Sequence, residues 1–151
     1  RSFFIDHFGR IRGGDKGGLP ANATDPVIDD CSDGSIGDNE RCTKYSMRSL
    51  AIAQGHFQLT TGNGNYGLLS HLASTGWIDP RLGSASLRGY LFTVKTIAAS
   101  GQIPAEFFIV AAPYSYGSTG RMSYYIDKTG IMRGADHQGG PAGPNDPPVS
   151  Y

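Results

Sequence analysis

The feature that most constrains this 151-residue chain is an internal repeat. Residues 2–15 read SFFIDHFGRIRGGD, and residues 123–136 read SYYIDKTGIMRGAD. The two segments are offset by 121 positions, and the offset continues without a gap. Gly18, Pro20, Ala21, Asp25 and Pro26 match Gly139, Pro141, Ala142, Asp146 and Pro147. A period this long is the size of a domain, unlike the 20–50 residue units of a solenoid.

Both copies read as a β-hairpin. Phe3-Phe4-Ile5 and Tyr124-Tyr125-Ile126 are β-prone. Asp6 to Gly9 and Asp127 to Gly130 are Asp-x-x-Gly turns, opened by the Asp side chain and closed by Gly. Arg10-Ile11-Arg12 and Ile131-Met132-Arg133 supply the returning strand, and a Gly/Pro-rich tail follows each. An isolated hairpin is marginal in water, so residues 1–12 need a partner sheet. The first hairpin is therefore expected to be the end of a preceding unit or an element donated to a neighbour.

Lys+Arg and Asp+Glu both number 13, and this zero net charge argues against a nucleic-acid binder that relies on phosphate contacts. Low charge favours self-association. No apolar run approaches membrane-spanning length. The chain opens on Arg1 without an initiating Met, which points to processing or to a piece of a longer product. Cys31 and Cys42 flank a polar, Gly-containing segment, suited to a disulfide closing a short loop. Asn22-Ala23-Thr24 is a glycosylation acceptor wherever that machinery exists.

Residues 25–40 carry six acidic groups and no basic one. Asp29, Asp30, Asp33 and Asp38 sit among glycine turns and are candidate oxygen ligands for Ca²⁺, although their spacing is not that of an EF-hand. The alternative is a solvated acidic loop. No other cofactor is expected. Asp38 or Asn39 is placed to cap a helix that runs from Glu40 to about Thr60. Met47, Leu50, Ala51, Gln54 and Phe57 fall on one stripe, with polar Gln54 interrupting it. A short helix is expected over 68–73, ended by Gly76. Gly89–Val94 and Glu106–Ala112 then read as strands, and the 123–133 hairpin adds two more. The expected fold is α+β, with a long helix covering a four-stranded antiparallel meander. The expected organisation is a hairpin element at 1–14, a linker at 15–38, the domain at 39–136 and a tail or connector at 137–151.

Arg48-Ser49-Leu50, Ala53-Gln54, Phe57, Tyr66-Gly67, Leu72, Gly76, Ile78-Asp79-Pro80, Leu82 and Gly89-Tyr90-x-Phe92 lead into the Tyr124–Gly134 hairpin. In this order and spacing, about two thirds of the chain resembles the globular part of bacterial type IV pilin-like proteins. That group includes the major pseudopilin of type II secretion and secreted pilin-like proteins of soil bacteria. The resemblance implies a pilin-like domain. The apolar N-terminal half-helix that anchors such proteins is absent from this segment.

No motif carries catalysis. His7, His56, His71 and His137 show no metal-ligand spacing, and there is no G-x-S-x-G elbow or P-loop. Glu106 and Asp127 can approach on adjacent strands, but nothing marks a cleft around them. No enzymatic activity is expected. Phe3, Phe4, Ile5, Tyr114, Tyr116, Tyr124 and Tyr125 are the candidates for contacts between subunits. The function expected is a structural subunit of an extracellular or cell-surface filament or array, self-associating into a polymer. The alternatives are a pseudopilin-like secretion component and a secreted adhesion module.

Overall fold

The computed structural model describes residues 2–5, 11–14, 16–25 and 34–150. The chain divides into two units, Arg1–Ser32 and Asp33–Tyr151.

In the second unit, helix α1 spans Ile36–Leu59. It begins earlier than Asp38 or Asn39 because Ser35 is the cap: its Oγ accepts the Asp38 N–H at 3.2 Å. Asp38 then lies in the first turn, where the helix dipole favours a carboxylate. At the other end the Gly62 N–H returns to the Phe57 carbonyl at 2.6 Å. A Cβ on Gly62 would lie 2.1 Å from the Asn65 carbonyl, so this exit turn requires glycine. Met47, Leu50 and Ala53 form the buried stripe. Gln54 interrupts the stripe in sequence only. Its Nε2 donates to the Gly67 carbonyl at 2.7 Å, and its Oε1 accepts the Gly67 N–H at 2.8 Å. The amide thus behaves as a strand partner for the loop after α1, and its polar atoms are satisfied in the core.

Helix α2, Leu69–Ser74, follows, and then a 3₁₀ turn over Pro80–Ser84. Asp79 caps that turn by accepting the Arg81 N–H at 3.0 Å, and Pro80 suits its first position.

The sheet has five antiparallel strands in sequence order: β3 (Ser86–Leu87), β4 (Tyr90–Ile97), β5 (Glu106–Pro113), β6 (Met122–Asp127) and β7 (Arg133–Asp136). The α+β class and the antiparallel meander match the expectation. The additional strand is the two-residue β3, which pairs Ser86 with Leu91 and Leu87 with Tyr90. One sheet face is buried at alternate positions: Tyr90, Phe92 and Val94 on β4, Phe107, Ile109 and Ala111 on β5, and Tyr124 and Ile126 on β6. These side chains form one core with Met47, Leu50, Leu72, Ile78, Leu82 and Met132. Each fully buried aliphatic side chain here contributes about 1.5–3 kcal/mol.

The returning strand lies further along than Ile131-Met132-Arg133, because Gly134 allows pairing to continue past Arg133. Gly134 sits opposite Tyr124, where a Cβ would lie 2.8 Å from the Ser123 carbonyl and 2.9 Å from the Tyr124 ring. The tail is bonded into the same unit. Gly134 N–H donates to Pro147 O at 3.1 Å and Val149 N–H to Met132 O at 2.9 Å.

In the first unit, strands β1 (Ser2–Ile5) and β2 (Ile11–Gly14) form an antiparallel pair.

Candidate functional site

The repeated segment is the feature from which a function can be built. In the second unit, strand β6 pairs Tyr124 with Gly134 and Tyr125 with Arg133. The chain then folds back over the hairpin, held by side chains that recur in the repeat. Ser123 Oγ donates to the Gly140 carbonyl at 2.7 Å. Arg133 Nη1 donates to the Asp146 carbonyl at 3.0 Å. The Asp146 carboxylate accepts the Gly143 N–H at 2.8 Å and lies 2.8 Å from His137 Nε2. The Gly143 N–H, followed by His137, holds this carboxyl below the usual range.

The first unit repeats this arrangement bond for bond. Phe3 pairs with Gly13 and Phe4 with Arg12, the same register at the equivalent positions. Ser2 Oγ donates to the Leu19 carbonyl at 2.6 Å, and Arg12 Nη1 to the Asp25 carbonyl at 2.9 Å. The Asp25 carboxylate accepts the Asn22 N–H at 2.8 Å and pairs with Lys16 Nζ at 2.7 Å. Lys16, followed by the Asn22 N–H, lowers the Asp25 pKa. Residues 16–25 of the expected linker and 137–146 of the expected tail thus form one folded turn, occurring twice. In sequence, Asp25 and Asp146 fall among the repeat matches and Arg12 and Arg133 in the returning strand, but none of them, nor Ser2, Ser123, Lys16 or His137, is expected in this role in the turn. Their recurrence at a fixed offset was the available signal.

Other expected site residues are spread out. On β6, Tyr124 and Tyr125 are buried at 3% and 8% exposure, so neither ring is open to a partner in the second unit. Tyr124 packs near Tyr90, and Tyr125 stacks on Phe108 with centroids 5.8 Å apart. Burial, reinforced by the Glu40 charge, pushes the Tyr124 hydroxyl pKa well up. Tyr114 is 72% exposed and Tyr116 is 44% exposed on the loop between β5 and β6. The Tyr116 hydroxyl donates to Asp136 at 2.9 Å. Phe3, Phe4 and Ile5 form β1, and nothing further is described of their side chains.

Asp29, Asp30, Asp33 and Cys31 lie outside the described residues. Of the expected calcium ligands this leaves Asp38, which is buried and paired with Arg41. Among the described residues no group of His, Cys, Asp or Glu is arranged to hold a metal. Cys42 is buried on α1. Asn22 is exposed, and its Oδ1 accepts both the Thr24 N–H at 3.0 Å and the Thr24 hydroxyl at 2.7 Å.

A hollow of about 400 Å³ lies between α1 and the sheet, bordered by Arg48, Ile52, Tyr66, Phe107 and Asp127. Two of the charged groups around it, Lys128 and Asp127, have partners of their own on the sheet and its turn. Glu106 pairs with Lys128 at 2.6 Å rather than approaching Asp127, which accepts from Thr129. No helix among the described residues is long and apolar enough to cross a membrane. No family model, curated protein or solved structure matches this chain.

Proposed function

We propose that this chain is a structural subunit of an extracellular filament or surface array, built from pilin-like domains and hairpin contacts between units. The observation that carries the reading is the double occurrence of one hairpin-and-turn part, with the same register and the same side-chain bonds. In the second unit this part completes a helix-backed sheet. A second copy of such a part, outside that sheet, is what a modular assembly requires. A long helix laid on an antiparallel meander supports the pilin-like description.

Self-association also suits zero net charge. Electron microscopy of the native material, with intact mass, tests the proposal. Regular fibres or a lattice are expected, and only dispersed single particles would reject it. The intact mass also tests the Cys31–Cys42 disulfide and glycosylation at Asn22.

A secreted adhesion module is the second reading. It is favoured by Tyr114 and Tyr116, two exposed aromatic side chains on one loop. A soluble monomer whose binding to a glycan or protein is lost in Tyr114→Ala would favour it instead.

A further inference from the structure

We propose that the outer edge of β1, Ser2–Ile5, takes strand β5 of a second copy of this chain, in the register that β6 uses in the second unit. This rests on the structural-subunit reading above and names its contact.

Among the described residues β1 pairs with β2 alone. Its far edge therefore offers backbone groups that a further strand can satisfy. The second unit indicates which strand fits. There the equivalent strand, β6, has β7 on one side and β5 on the other. Tyr124, Tyr125 and Ile126 stand opposite Ala111, Val110 and Ile109. The β1–β2 register matches the β6–β7 register at the three pairs they share, those of Ser2, Phe3 and Phe4 with those of Ser123, Tyr124 and Tyr125, so the far edge of β1 presents the same order of backbone groups. Placed likewise, Phe3, Phe4 and Ile5 meet Ala111, Val110 and Ile109 of the other copy.

The residue types agree with this placement. Phe replaces Tyr twice, and Ile is retained. The side-chain bonds given up are that of the Tyr125 hydroxyl to Asp127, at 3.2 Å, and that of Lys128 to Glu106 on β5, at 2.6 Å, where the first hairpin has His7. In the receiving copy the β5 edge is already held by its own β6, so the contact forms by exchange. One hairpin leaves and its equivalent enters, which conserves the ladder. Because the donating hairpin and the receiving strand are different surfaces, the contact is heterologous and propagates head to tail.

The test is the full chain with Tyr124→Pro, which removes the β6 donor that faces Ala111 and weakens the hold of β6 on β5. Sedimentation velocity at matched concentration should show this variant in larger species than the unaltered chain. Amide exchange at Phe3–Ile5 should slow about tenfold in those species. A second variant carrying both Tyr124→Pro and Phe3→Pro, the latter at the outward-facing position of β1, should lose that gain in size. The proposal is overturned if Tyr124→Pro forms no larger species than the unaltered chain, whatever the exchange at β1. It is equally overturned if the double variant associates to the same extent, since that would be aggregation of an unfolded sheet. Strand pairing without fibres in the native material would reject the filament and leave this contact standing.

Discussion

The turn after β2 and the turn after β7 make the same backbone captures, with a different nitrogen side chain on the Asp carboxylate. Lys16 holds Asp25 in one, and His137 holds Asp146 in the other. The Ser hydroxyl, the Arg guanidinium and the Asp carboxylate recur at equivalent positions. The leading cause of the depressed carboxyl changes from the Lys16 ammonium to the Gly143 N–H. The difference teaches that backbone capture by Ser, Arg and Asp defines the turn, while the cation at position 16 or 137 is replaceable. A second difference is context, since the second hairpin has a sheet and a core behind it and the first is a two-stranded pair.

The strongest way to break the comparison is at the tight approach opposite Tyr124. Gly134→Val places a branched side chain where a Cβ already meets the Ser123 carbonyl at 2.8 Å. A loss of about 2–3 kcal/mol is expected in urea unfolding of the full chain. An unchanged midpoint would mean that β7 does not pair as described. Next are the arginines. Arg133→Ala and Arg12→Ala each free the carbonyl of the turn Asp, at about 1–2 kcal/mol locally. Amide exchange should quicken at Gly143 in the first variant and at Asn22 in the second. A response confined to one copy would show that the two turns are held differently.

The serines sharpen the contrast of context. Ser123 is fully buried, and Ser123→Ala should cost about 1 kcal/mol. Ser2 makes its bond in an exposed position, so Ser2→Ala should cost less, which unfolding curves of the two variants compare directly.

Acid acts on both turns in the same sense. Asp25 and Asp146 have lowered pKa values in the folded chain. Their stabilisation is therefore complete above the unfolded carboxyl value of 3.8 and is lost as pH falls through the lower folded values. Amide exchange at Asn22 and Gly143, corrected for its intrinsic pH dependence, should lose protection together below that point. The smallest effect expected is that of His137→Lys, which makes the second turn like the first. The pair is partly exposed, so a change within about 0.5 kcal/mol is predicted from urea unfolding.

Much of this arrangement was legible in the sequence. Short β-prone runs located β4, β5 and β6: Tyr90–Val94, Phe107–Ala112 and Tyr124–Ile126. The Asp127-x-x-Gly130 turn was readable because its chemistry is local: Asp127 accepts from Thr129, and Gly130 adopts φ 73°. The repeat itself located the candidate site. What stayed hidden depended on partners distant in sequence. Gln54 read as a flaw in the helix stripe because its partner, Gly67, lies beyond the helix. Ser35 was missed as the cap because two acidic and amide residues nearer the apolar stripe looked equally able. Tyr124 and Tyr125 looked like surface residues because a strand covered on both faces does not alternate. The returning strand runs past Arg133 because Gly134, which opens the Gly/Pro-rich tail in sequence, is the residue that lets Tyr124 pack against the backbone.

The central claim is that the two hairpin-and-turn segments are the same part. Replacing residues 123–147 with the sequence of residues 2–26 in the full chain tests it most directly, with amide exchange read along β5. The second unit should fold, with Ile109–Ala111 protected within about tenfold of the unaltered chain. Loss of that protection, with an unfolded second unit, would contradict it.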